Sequence, residues 1–176
     1  MSCWLRKETL SLAEDYLDFC MGIQRTPPSE AARAMRLLAK EMEKQNQTKF
    51  CSLAQTFLSS CGPEKSASLR MVMEEMVGDG KLNWGRVVSL FAFIGVLVSD
   101  LYSRGESRDC CRRLAETIAD FLGGEKQVWL MENNGWEGFS KFSRCATEVD
   151  PESSMRRALF AAASVGIAGL TFLLVR

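Results

Sequence analysis

Histidine is absent from this chain of 176 residues. Its absence removes serine–histidine and cysteine–histidine nucleophile pairs, histidine zinc ligands and the usual general base near neutral pH. A C-x-x-C pair is missing too. The seven cysteines, Cys3, Cys20, Cys51, Cys61, Cys110, Cys111 and Cys145, are odd in number and scattered, so neither a disulfide framework nor a zinc knuckle is expected. Reduced thiols packed as small apolar groups in a cytosol-facing protein are expected instead. Formal charge cancels, 22 basic residues against 22 acidic, which leaves no electrostatic argument for nucleic acid or an acidic substrate. Met1 to Glu8 run straight into charged helical sequence with no signal-peptide core. No carboxylate pair, nucleophile–base pair or phosphate loop stands out, so neither an enzyme nor a cofactor or metal is expected.

What is present is helical periodicity. Leu5, Thr9, Leu12, Tyr16 and Phe19 alternate by four and three, with Ala13, Leu17 and Cys20 beside them, and mark a first helix. Thr26-Pro27-Pro28-Ser29 caps a second helix, whose apolar face is Met35, Leu38 and Met42 and, further on, Phe50 and Leu53. After the Cys61-Gly62-Pro63 break, a helix from about Ser66 to Val77 carries Leu69, Val72, Met73 and Met76 inward. Gly78-Asp79-Gly80 turns the chain. Leu114, Ala115, Ile118, Phe121 and Leu122 form the stripe of a later amphipathic helix, which Gly123-Gly124 is expected to stop. Two short helices follow, Lys126 to Glu132 and Trp136 to Phe142. Nothing alternates with period two for long enough to argue a strand, so the fold class is an all-α bundle in a single domain.

Between the Gly78-Asp79-Gly80 turn and the amphipathic helix lies an uncharged run from Val87 to Ser99, opened by Asn83-Trp84-Gly85-Arg86. A helix from Trp84 to about Leu101 is short for a membrane span and reads as the buried centre of the bundle. Arg86 therefore sits at the mouth of the most buried helix. Its guanidinium is a planar fork suited to a carboxylate. That carboxylate comes either from a glutamate on a neighbouring helix or from another protein, and chemistry alone leaves both open.

The C-terminal segment differs from the rest. From Ala158 to Val175 eighteen residues carry no charge, flanked by Arg156-Arg157 and by Arg176. At 1.5 Å per residue this is about 27 Å of helix, against a hydrocarbon core of about 30 Å. Asp150 and Pro151 suit the start of that helix. The expected organisation is a helical domain over residues 1–145, a linker and juxtamembrane segment over 146–157, and a membrane anchor over 158–175. Ala158, Leu159, Phe160, Gly166, Gly169, Phe172 and Val175 are the anchor residues, and the paired arginines place the bulk of the chain in the cytosol.

Asp79-Gly80-Lys81-Leu82-Asn83-Trp84-Gly85-Arg86 resembles the first homology motif of the Bcl-2 family of apoptosis regulators. Trp129 to Phe139, reading WLMENNGWEGF, resembles the second. The order of the motifs, the helix pair between them and the terminal anchor also resemble the family, in its Bcl-B and Nrz branch. The resemblance implies a helical domain whose surface groove receives the amphipathic death-motif helix of a partner. It carries Arg86 over as the cation that meets the aspartate of that helix, with Asn83 beside it and Gly85 allowing close approach. Val88 and Met76 line the apolar floor, and Met42, Phe50 and Leu53 the opposite wall. At Met76, Val88 and Phe50, plain core packing is the competing reading. Trp84, Trp129 and Trp136 are expected to hold the bundle together. Implied partners are death-motif helices of Bax, Bak, Bad-like and Beclin-like proteins, together with membrane lipid.

One position departs from the family pattern. Where the second helix usually carries aspartate this chain has Lys40, after Ala39. A reversed charge opposes docking of this helix into another member's groove. The helix is thus expected to serve as a groove wall, in a survival-type protein at the endoplasmic reticulum or mitochondrial outer membrane. The alternatives are a tail-anchored scaffold that regulates a membrane channel, such as one for calcium, through the first helix, and a membrane-permeabilising domain.

Overall fold

The computed structural model describes residues 3–76, 80 and 82–148, and among these it has eight α-helices and no strand. The first, α1 (Cys3–Cys20), buries Leu5, Thr9, Leu12, Ala13, Tyr16 and Leu17 as its stripe requires. Phe19 leaves the expected stripe. It is 37% exposed and lies under the Arg36 guanidinium, 4.9 Å from the ring centroid. The helix buries Asp15 and Asp18 as well. Arg36 closes on Asp15, with Nε and Nη2 donating to its two carboxylate oxygens at 2.9 and 2.6 Å. A carboxylate removed from water persists only with such a partner.

The second expected helix is in fact two. Ser29 Oγ accepts from the Ala32 N–H and starts α2 (Glu30–Gln45), which stops at Asn46, and α3 (Gln47–Ser60) follows at once. Asn46 sits at φ −126° and ψ 29°, and its side-chain amide donates to the Met42 carbonyl at 3.1 Å. An asparagine that takes a backbone acceptor in this way favours a helix end over a continuation.

Next come α4 (Lys65–Met76) and α5 (Trp84–Ser103). The latter is longer than expected, and its 20 residues are long and apolar enough to cross a membrane. Within this fold it is a core helix, buried without a break from Gly85 to Val98. The surrounding helices α1, α2, α3 and α6 (Arg108–Asp120) all pack on it, so it has no polar face to keep. A ladder of ion pairs joins α1 to α6 in antiparallel register. Arg6 meets Asp120 at 2.6 Å, Glu14 meets Arg112 at 3.2 Å, and Asp18 meets Arg108 at 3.0 Å.

Gly123-Gly124 does not stop the chain after α6. Residues Phe121–Glu125 make a π-helical turn that leads into α7 (Gln127–Glu132). A Cβ at Gly123 would stand 2.7 Å from Arg6 Cα, so the missing side chain lets this turn seat on α1. Asn134 and Gly135, at φ 61° and 59°, then turn the chain through left-handed backbone. They open α8 (Gly135–Glu148), which runs beyond the expected Phe142 and past residue 145. The proposed anchor and the rest of the linker lie outside the described residues.

All seven cysteines are free. Cys111 is buried and Cys20, Cys61 and Cys110 are half-buried, as expected of packed thiols, whereas Cys3, Cys51 and Cys145 are exposed. Burial pushes the Cys20 and Cys111 thiols up to about 11.

Candidate functional site

The start of α5 is built by one asparagine. Asn83 has extended backbone, φ −149° and ψ 168°, and its Oδ1 accepts from the Arg86 N–H at 2.9 Å. This is an N-cap that leaves a helix start with its positive end toward the α4–α5 connection. The Arg86 side chain reaches α4, and Nη1 donates to the Met76 carbonyl at its end, 3.1 Å away. Only 6% of Arg86 is exposed. Cation, helix start and the last carbonyl of α4 therefore meet at one corner. Gly85 is buried there, and its carbonyl accepts from Ser89 Oγ at 2.9 Å.

The other expected groove residues are drawn into one apolar cluster. Met42, Phe50 and Val88 are fully buried, and Leu53 and Met76 are each 5% exposed. As they stand these five side chains are part of the buried core. Two of their helices rest on different neighbours, α3 on α5 and α4 on α6.

Behind the corner lies an aromatic cluster. Trp84 meets Trp129 edge-on at 4.8 Å and lies 5.8 Å from Trp136 and 5.2 Å from Phe139. Trp136 is buried, and its Nε1 donates to Thr9 Oγ1 at 2.9 Å. Thr9 in turn donates to the Leu5 carbonyl at 2.7 Å. The three tryptophans thus tie α5, α7 and α8 together, and Trp136 ties α8 to α1. Sequence reasoning did not find Thr9 as a partner. The available signal was a hydroxyl inside an apolar stripe, together with a tryptophan whose N–H must be satisfied when buried.

Residues 35–136 match the Bcl-2 family of apoptosis regulator proteins, a span that runs from α2 to Trp136 in the first turn of α8. The chain belongs to that family. It is 38% identical over 174 residues to the anti-apoptotic protein NR13 of Gallus gallus, which covers 97% of each chain. Bcl-2-related protein A1 of Bos taurus is 30% identical over 135 residues, 74% of this chain and 77% of that one. Among solved structures, the zebrafish pro-survival protein NRZ in complex with the Bad BH3 segment superposes with a TM-score of 0.79. It is 68% identical and covers 81% of this chain and 96% of that one. The same protein in its apo form superposes at 0.78 with 67% identity, over 83% of this chain and 97% of that one.

Proposed function

We propose that this chain is a survival-type regulator that captures the amphipathic death-motif helices of pro-apoptotic relatives in a groove beside α5. The observation that carries this reading is the 68% identity to a pro-survival protein solved with the Bad BH3 helix. The corner at Asn83 and Arg86 supplies the chemistry. A carboxylate on the incoming helix receives a guanidinium and approaches the positive end of α5. Val88 and Met76 form the floor and Met42, Phe50 and Leu53 the wall. Because these are covered in the chain as described, the ligand helix displaces what covers them. Methionine at two of the five positions suits that, since it repacks at low cost. The mechanism is competitive binding, without chemistry, at a cytosol-facing membrane held by residues 158–175. The partners are Bax, Bak, Bad-like and Beclin-like death motifs.

The test is titration of a labelled Bad death-motif peptide against the full chain in phosphatidylcholine nanodiscs, alongside Arg86→Ala and Arg86→Lys. Removing one member of a buried charge pair costs about 2–5 kcal/mol, so Arg86→Ala is expected to weaken binding by roughly thirty- to several-thousand-fold. Arg86→Lys keeps the charge without the fork and falls between the two. Unchanged affinity in a folded Arg86→Ala chain rejects the role given to this residue.

A further inference from the structure

A second surface lies along α2, lined by none of the residues of the Arg86 corner. A cleft of about 430 Å³ is walled by Phe19, Pro27, Arg33, Leu37, Lys40 and Lys44. Arg36 and Glu41 complete it. Its chemistry is uneven in two respects. Leu37 is 62% exposed, and Phe19, though under Arg36 and Lys40, is still 37% exposed. Around them stand four cations and a single carboxylate.

These cations are not equivalent. Arg36 is fixed by Asp15 and stacks on Phe19, and Lys40 pairs with Glu43 at 3.0 Å. Both are held in place and partly neutralised. Arg33 and Lys44 are exposed and make no ion pair among the described residues. The cleft thus combines two part-exposed apolar side chains, two cations held by partners and, among the described residues, two cations without an ion pair.

From this charge pattern we infer that the α1–α2 cleft is a docking site for an acidic protein segment that inserts a bulky apolar side chain beside Leu37. Charge complementarity selects the sign of the partner, and Arg33 and Lys44 steer it. A side chain projecting from a peptide can lie beside the exposed Leu37 while its acidic neighbours meet Arg33 and Lys44. The site is separate from the groove, so a death-motif helix and this segment bind together.

The experiment uses the full chain in phosphatidylcholine nanodiscs, with the groove saturated by unlabelled Bad death-motif peptide. The ligand is a fluorescein-labelled peptide repeating Glu-Glu-Leu-Phe, with a matched Lys-Lys-Leu-Phe peptide as control, both read by anisotropy. The acidic peptide is expected to bind saturably and the basic one not at all. Arg33→Glu combined with Lys44→Glu is expected to weaken binding roughly tenfold or more, and Leu37→Glu comparably, with death-motif affinity unchanged. No saturable binding, or binding indifferent to these substitutions, overturns the proposal. Slowed amide exchange over residues 33–44 on discs containing phosphatidylserine, with no peptide binding, overturns it in favour of a lipid surface.

Discussion

Two neighbouring glycines show how much a single residue decides here. At Gly123 a methyl group would meet the backbone of Arg6, and at Gly124 it would meet nothing within 4 Å. Backbone cannot swing aside as a flexible side chain can, so Gly123→Ala forces the π-turn away from α1. A cost of about 1–3 kcal/mol is expected from such overpacking. Gly124→Ala is expected to change stability by less than about 0.5 kcal/mol. Parallel thermal melts of the two variants check the contrast, and equal melting temperatures would contradict the packing described. Neither glycine's role is readable from composition, since both look like the same helix stop. Asp15 escaped sequence reading for a related reason. It stands among the apolar positions of α1, and its partner Arg36 is a whole helix away.

At the scale of elements, α2 is the helix whose role depends on a charge. Lys40 stands where the resemblance to the family leads one to expect aspartate, and it pairs with Glu43 on its own helix. A peptide of residues 30–49 is therefore expected to leave the labelled Bad peptide bound, whereas the same peptide with Lys40→Asp competes for the groove. Equal competition by both would remove Lys40 as the discriminating residue. The longer helices were legible because their apolar stripes repeat over several turns, except that α3 read as a continuation of α2. The ends were less so. The stop at Asn46 rests on one side-chain hydrogen bond to Met42. The π-turn at Phe121–Glu125 rests on close approach to a helix more than a hundred residues earlier. The position of Arg86 at the mouth of α5 could be read directly, since the uncharged run begins immediately after it. The burial of Met42, Phe50 and Leu53 could not, since groove and core share one pattern.

For the whole molecule, buried thiols couple stability to alkaline pH. Burial raises Cys20 and Cys111 from the ordinary 9.0 to about 11. The unfolded chain releases these protons first, so the stabilisation is complete below about pH 9 and is lost as pH rises toward 11. Tyr16, raised well above its ordinary value by burial, adds a loss of the same sign. Urea titrations at rising pH are expected to show falling midpoints across this window, and Cys20→Ser combined with Cys111→Ser to flatten the slope. The ladder between α1 and α6 also sets a schedule. Asp18 leaves the ribosome ninety residues ahead of Arg108, and at about 5–20 residues per second the gap is on the order of ten seconds. For most of that interval Leu5, Leu12 and Tyr16 lack α5, and throughout it they lack α6. A newly made first helix is thus a client for chaperones, and for proteases, until the bundle behind it has been synthesised.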